Sequence, residues 1–585
     1  MPLIKLDSVS YTYKGSPTAA LDSVSLEVEA GEYVAIVGAN GSGKSTLLRL
    51  LNGLYSASSG AVTVAGLDAA LSTNARAIRS TVSLVFQSPP DQIVATVVEE
   101  DVAFGPENLG LPRAQIEARV TEALEAVGLL AERRRPPHFL SAGQQQRLAV
   151  AGALAMRSRC VAFDEATAML DPPARESVLG LMDDLVARGD AVIHATHDMT
   201  EAARARRLVA LDAGRIIYDG EPEAFFAASC AGGESDLPCI VAPPALRLAR
   251  VLGIEGAARD RPEELARAAL RSGALSVEEG GPASAAEDSL RGAASTESAF
   301  ELDRVSYSYL RGTANQSSAL SGVTLAVPRG SVLALVGRTG SGKSTLLQLL
   351  DALAFPSSGR VLSFGSDTSA PDAPLRALRM RSPLAVQRPE SALFEAYAGD
   401  DVAFGPRNLG LSGKELVERV RAAMERVGLG FAEFRDRRTR ALSGGEKRLL
   451  ALAGVMALEP EALLLDEPTA ALDPAMKTRI LHLIFGFASE GRTVVLATHS
   501  MEEAAMADLV GVLVGGRLAA LGPPRRIFYD EYDPGWGIGR PFACDFVLAL
   551  RAAGASFPEE PLTVDALADI IGERVACGVG PGGGR

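Results

Sequence analysis

Nine residues, GANGSGKST at 38–46, return as GRTGSGKST at 337–345. Three further stretches recur in the same order. DVAFGPENLGL (101–111) becomes DVAFGPRNLGL (401–411), LSAGQ (140–144) becomes LSGGE (442–446), and ATHDMTEAA (195–203) becomes ATHSMEEAA (497–505). Matched order at offsets of 299 to 302 residues means that a whole domain is duplicated. A chain of 585 residues is also longer than one hydrophobic core usually organises.

Each copy opens with an apolar run, EYVAIVG (32–38) or SVLALVG (331–337), that leads into a Gly-rich loop and then a helically periodic stretch. Strand, loop and helix are the setting that G-x-x-x-x-G-K-[ST] requires. In Gly38, Asn40, Gly41, Ser42, Gly43, Lys44, Ser45 and Thr46, and again in Gly337, Thr339, Gly340, Ser341, Gly342, Lys343, Ser344 and Thr345, the glycines let backbone N–H groups surround phosphates at a helix N-terminus. Lys44 and Lys343 are expected to reach the β- and γ-phosphates of ATP, and Ser45 and Ser344 to ligate Mg²⁺. The apolar runs CVAFDE and ALLLDE read as buried parallel strands ending in acids. Asp164 and Asp466 are placed to hold the metal's water shell, and Glu165 and Glu467 to polarise the attacking water. His197 and His499 each follow Ala-Thr after a β-like run, and are read as hydrogen-bond donors to the γ-phosphate or its water.

Composition narrows the remaining classes. A net charge of −14 gives no support to a nucleic-acid binder. The five cysteines form no C-x-x-C pair and read as reduced thiols. No N-terminal signal pattern is read at MPLIKLDSVS, and no apolar run is long enough to span a bilayer. Residues 275–298 are small, polar and rich in Gly, Ala and Ser, as a flexible linker is. The expected division is a first domain with a helical C-terminal extension at 1–274, the linker at 275–298, a second such domain at 299–577 and a disordered tail at 578–585.

With these motifs assembled, nearly the whole chain resembles the ABC-type ATPases. LSAGQ and LSGGE resemble the family signature LSGGQ, which implies nucleotide contacts for Ser141, Gly143 and Gln144 and for Ser443, Gly444, Gly445 and Glu446. Gln87 and Gln387 match the Q-loop glutamine that also faces the metal, and Asp171 and Asp473 match the D-loop. Tyr13 and Tyr309 match the aromatic that stacks on adenine, although a strand tyrosine also suits a core. The resemblance implies an α/β fold of two tandem P-loop domains. Each has a RecA-like core, an antiparallel β subdomain and an α-helical signature subdomain. It implies head-to-tail pairing of the two halves within one chain, and 24 linker residues reach about 80 Å when extended. Ala142 replaces a signature glycine and Ala166 the proline of D-E-P-T, so equal rates at the two sites are not implied.

The stretch after each Q-loop glutamine, FQSPPDQIVATVVEEDVAFGPENLGL and VQRPESALFEAYAGDDVAFGPRNLGL, is similar to the ATPases of energy-coupling-factor (ECF) transporters. That resemblance implies a fused pair of paralogues working on a scaffold transmembrane subunit and a small substrate-binding membrane subunit. The chain would then be peripheral, on the cytoplasmic side of the cell membrane, and would drive uptake of a vitamin or a transition-metal ion. Acidic grooves containing Asp91 and Glu99, and Glu390 and Glu395, are expected to receive basic helices of the scaffold. The second copy departs at Ala398-Gly399, where the first has Val98-Glu99. Two other readings stay open: a tandem ABC protein acting on ribosomes or DNA, and the ATPase of another transporter class. Against the former, the linker carries no long charged helix and no zinc module is present.

Overall fold

The computed structural model describes residues 1–231 except 17 and 169, 242–254, 261–273, 275, and 297–578 except 314 and 315. Most of the expected linker and nearly all of the expected tail lie outside these residues. The chain forms two compact units, the first built on Met1–Arg247 and the second on Asp260–Ala470 and Met476–Arg585.

Each unit carries one six-stranded sheet. In the first unit the strand order is Arg215–Gly220, Arg207–Asp212, Tyr33–Val37, Ala191–Ala195, Cys160–Asp164 and Val82–Val85. All neighbours are parallel except the outer hairpin of Arg207–Asp212 with Arg215–Gly220. The second unit repeats this order with Arg517–Gly522, Leu509–Val514, Val332–Val336, Thr493–Ala497, Ala462–Asp466 and Leu384–Ala385. Every residue of Tyr33–Val37 and Val332–Val336 is buried, which is why these strands read as unbroken apolar runs.

A four-stranded antiparallel sheet completes the β structure of each unit, in the order Leu21–Val28, Ile4–Tyr11, Ser59–Val64 and Leu67–Asp68 in the first. The second uses Ser317–Pro328, Ser298–Tyr309, Ser358–Ser363 and Ser366–Asp367. Three helices form the helical subdomain: Val98–Asn108, Arg113–Ala126 and Ala142–Met156, repeated as Ala398–Asn408, Gly413–Arg426 and Gly444–Met456. The glycine of the repeated AFGP permits their close approach. A Cβ on Gly105 would lie 2.5 Å from Met156 Sδ, and one on Gly405 would lie 2.7 Å from Leu458 Cδ2.

The C-terminal helices correct one expected boundary. Helix Pro262–Arg271, assigned by sequence to the first domain, lies in the second unit and packs on Phe542–Ala552. Leu265, Ala266 and Ala269 are buried there. Its helical periodicity was legible, but periodicity identifies an apolar stripe and not the surface that covers it.

Candidate nucleotide-binding sites

In both units the Gly-rich loop joins the central strand to a helix, Lys44–Leu51 or Lys343–Leu350. Two glycines are obligatory by geometry. Gly38 and Gly337 have φ near 150°, and a Cβ on either would lie 2.2 Å from a backbone oxygen, that of Leu211 or Leu513. Gly43 and Gly342 hold left-handed φ values of 107° and 106° directly before their helices. The Lys44 ammonium is buried and donates to Gly38 O at 2.8 Å and Ala39 O at 3.0 Å. Lys343 does the same to Gly337 O at 2.7 Å and Arg338 O at 3.3 Å. Ser42 Oγ and Ser341 Oγ are buried without a hydrogen-bond partner among the described residues, an arrangement that suits loops built to meet a polar ligand.

The acids sit where the neighbouring strands end. Ser45 Oγ donates to Asp164 Oδ1 at 2.9 Å, joining the start of the loop helix to the end of strand Cys160–Asp164. Burial raises Asp164 to about 6, against the pull of the Ser45 hydrogen bond. Asp466 is raised by the same cause, with Ser344 as the opposing donor. A hydroxyl bonded to a carboxylate supplies hard oxygen donors of the kind that fit Mg²⁺.

Glu165 and Glu467 follow in left-handed backbone, with φ of 49° and 48°. A non-glycine residue held there stores about 1–3 kcal/mol, and such strain recurs at working sites. Gln87 Nε2 donates to Glu165 Oε2 at 2.8 Å, and Gln387 Nε2 to Glu467 Oε2 at 2.8 Å. His197 Nδ1 is 3.5 Å from Glu165 Oε2, and Lys44 Nζ is 3.8 Å from Glu165 Oε1. In the second unit His499 Nε2 is closer, 2.8 Å from Glu467 Oε1, and 3.4 Å from Lys343 Nζ. Burial pushes the Glu165 carboxyl up, but the hydrogen bond and charge of His197, with Lys44, outweigh it and hold the group below its usual range. Glu467 is lowered in the same way by His499 and Lys343. The histidines therefore face the glutamates. This is the constellation from which a carboxylate can polarise water beside bound phosphate.

The remaining expected residues fall into three groups. Tyr13 and Tyr309 are each 39% exposed, so neither is a core residue, and each hydroxyl bonds the loop threonine, Thr46 or Thr345, at 2.9 Å. Ser141 and Ser443 cap the signature helices in capping boxes with Gln144 and Glu446. A Cβ on Gly444 would meet nothing within 4 Å. Asp171 caps helix Pro172–Ala187 by accepting from Ala174 N. One residue not singled out by sequence is Arg448, which donates to Glu467 O at 3.3 Å and Ala470 O at 3.4 Å. In the first unit Gln146 stands there and bonds Phe86 O instead.

The acids of the repeated segment are partly engaged within the chain. Glu99 pairs with Arg133, so the first copy is less acidic than its residue count implies. Asp101 Oδ1 accepts from Val94 N and Ala95 N at 2.8 and 3.0 Å, and Asp401 Oδ1 from Phe394 N and Glu395 N at 3.0 and 2.9 Å. Gly399 stands where the first copy has Glu99, and a Cβ there would lie 3.0 Å from Arg435 Cβ. Asp91 is exposed. Exposed large residues of the segment include Val94 and Phe104 in the first copy, and Phe394, Tyr397, Phe404 and Leu409 in the second.

A model of the ABC transporter family matches residues 21–168 and 320–470. The chain belongs to that family. It is 33% identical over 98% of its length to a putative ABC transporter ATP-binding protein of Methanosarcina acetivorans, covering 94% of that relative. It is 39% identical over 85% of its length to a putative ABC transporter ATP-binding protein of Bifidobacterium longum, of which it spans 63%. Over 234 residues, 39% of this chain, it is 52% identical to 82% of the energy-coupling factor transporter ATP-binding protein EcfA1 of Symbiobacterium thermophilum. The duplicated unit is thus an ABC ATPase domain, and the chain is an ABC-type ATPase with two of them.

Proposed function

We propose that this chain is the ATP-hydrolysing motor of an ECF-type importer, working at the cytoplasmic face of a membrane on separate membrane subunits. The observation that carries this reading is the segment after Gln87 and Gln387. Its second half, DVAFGPENLGL (101–111), recurs as DVAFGPRNLGL (401–411), and in each copy an aspartate, Asp101 or Asp401, accepts from backbone N–H groups of the preceding stretch while a phenylalanine, Phe104 or Phe404, is exposed. Exposed aromatics beside carboxylates suit docking of an amphipathic, basic helix. The similarity to EcfA1 supports the same reading. Among the described residues no helix is long and apolar enough to cross a membrane, so a membrane path would come from other subunits. The cargo, a vitamin or a cobalt- or nickel-type ion, would be selected by a substrate-binding subunit outside this chain.

Within each unit the reading assigns Lys44 or Lys343 and the loop N–H groups to the phosphates of ATP, and Tyr13 or Tyr309 to the base. Ser45 with Asp164 and Gln87, and Ser344 with Asp466 and Gln387, would hold Mg²⁺, which when bound neutralises phosphate charge. Glu165 and Glu467 polarise the attacking water, and His197 and His499 orient those carboxylates and donate toward the phosphate. Ser141, Gly143, Gln144 and their counterparts Ser443, Gly444, Gly445 and Glu446 offer a capped helix N-terminus to an anion. The test is affinity purification of the chain from detergent-solubilised membranes. A co-purifying multispanning scaffold subunit is the expected result. Recovery with ribosomal proteins or nucleic acid alone would refute the motor reading.

A further inference from the structure

Behind each glutamate–histidine pair lies a second buried carboxylate, in the repeated EAA that follows the histidine. Glu201 and Glu503 are 3% and 1% exposed. Glu201 Oε2 accepts from Thr167 Oγ1 at 2.8 Å and from Thr196 Oγ1 at 2.9 Å. Glu503 accepts from Thr469 Oγ1 at 2.6 Å and from Thr498 Oγ1 at 2.7 Å. Thr167 and Thr469 stand two residues after Glu165 and Glu467, while Thr196 and Thr498 immediately precede His197 and His499. One carboxylate therefore ties the loop after the strained glutamate to the loop that carries the histidine. A cation accompanies it in each unit, Arg175 Nε at 3.0 Å from Glu201 Oε1 and Lys477 Nζ at 2.9 Å from Glu503 Oε1.

The tie is drawn further into the histidine loop. Thr196 Oγ1 also accepts from Asp198 N at 3.0 Å, and Thr498 Oγ1 from Ser500 N at 3.0 Å, so each threonine sits in a chain of bonds running past the histidine. Glu165 N donates to Ala195 O and Glu467 N to Ala497 O, both at 2.9 Å, which joins the same two strand ends by backbone. A left-handed glutamate persists only where its surroundings over-determine it. Burying a carboxylate is costly unless it is paired and hydrogen-bonded, yet both units keep one, satisfied by the same two threonine positions. The cations differ, Arg175 against Lys477, while the two hydroxyl bonds do not.

We propose that Glu201 and Glu503 are positioning residues for ATP hydrolysis: each braces the strand-end loop against the histidine loop and so fixes the separation of Glu165 from His197 and of Glu467 from His499. This rests on the reading of Glu165 and Glu467 as water-polarising groups. A brace of this kind acts on turnover and leaves ATP binding, which uses the Gly-rich loop, untouched.

The experiment replaces the hydroxyls in the full chain, Thr167→Val with Thr469→Val, and measures kcat and KM for ATP beside thermal unfolding. We expect kcat to fall about tenfold or more with KM within about twofold, the scale of a small misplacement of reacting groups. Thr167→Ser with Thr469→Ser, which keeps the hydroxyls, restores kcat to within about twofold of the parent on the same reasoning. A folded valine variant with the parent kcat, a loss confined to KM, or failure of serine to restore turnover would each overturn the brace. If the valine variant does not fold, Glu201→Gln with Glu503→Gln, which keeps the side-chain shape, is judged by the same kcat and KM criteria. Glu165→Gln with Glu467→Gln separates the two ideas. If that variant retains turnover, the catalytic reading falls; if it is inactive and the valine variant is not, only the brace falls.

Discussion

Replacing Asp351 by asparagine should stabilise the second unit, and the gain should grow with pH. Asp351 ends helix Lys343–Leu350 at the position where the first unit has Asn52. It is 5% exposed, and its Oδ1 has no hydrogen-bond partner among the described residues. Asn52 Nδ2, by contrast, donates to Val82 O at 2.5 Å. Burial raises the Asp351 carboxyl from 3.8 to about 8, with Arg379 pulling the other way. The folded chain therefore keeps a proton that the unfolded chain releases, and stability falls as pH rises between 3.8 and about 8. At about 1.36 kcal/mol per pH unit, the penalty at pH 7 is on the order of 4 kcal/mol relative to pH 4. Asparagine carries no such penalty. For a large unit, roughly 2 °C per kcal/mol gives a rise in Tm of about 8 °C at pH 7 and almost none at pH 4. Differential scanning calorimetry of parent and Asp351→Asn protein at the two pH values is the assay. An equal shift at both pH values, or none at pH 7, refutes the reasoning.

Four further outcomes follow from the same structure. Asp91→Lys with Glu390→Lys should detach the chain from its membrane partner, because loss of a partly desolvated ion pair costs about 2–5 kcal/mol; co-purification reads this, and basal ATP turnover in solution should be unchanged. Phe104→Ala with Phe404→Ala should weaken the same association while leaving basal turnover intact, and because this variant keeps the charged contacts its remaining association should fall further as salt is raised. Lys477→Met leaves the Glu503 carboxylate without its cation and should destabilise the second unit by about 2–3 kcal/mol after allowance for the exposure of Lys477, measured by chemical denaturation; Lys5→Met, which breaks an exposed pair with Glu27, should cost under about 1 kcal/mol.

The parts that could be read from sequence are those with a strong local cause. Gly38 and Gly43 are required by backbone geometry, the strands Tyr33–Val37 and Cys160–Asp164 are buried on both faces, and the duplication marks each motif twice. The parts that were not legible depend on partners distant in sequence. Helix Pro262–Arg271 has an apolar stripe whose cover, Phe542–Ala552, lies some 280 residues on. Glu99 counts as an acid until Arg133 neutralises it. Glu201 and Glu503 sit in the repeated EAA of the histidine loop and resemble surface acids of a helix start. Only their burial against Thr167, Thr196, Thr469 and Thr498 shows that they belong to the interior.

The central claim is that this one chain carries two working hydrolytic sites, and steady-state ATP turnover of purified protein tests it most directly. Glu165→Gln and Glu467→Gln are made singly and together, with nucleotide affinity measured alongside. The double variant should bind MgATP as tightly as the parent but turn over about 10²–10⁴-fold more slowly, with each single variant also impaired. A double variant that hydrolyses ATP at the parent rate would contradict the claim.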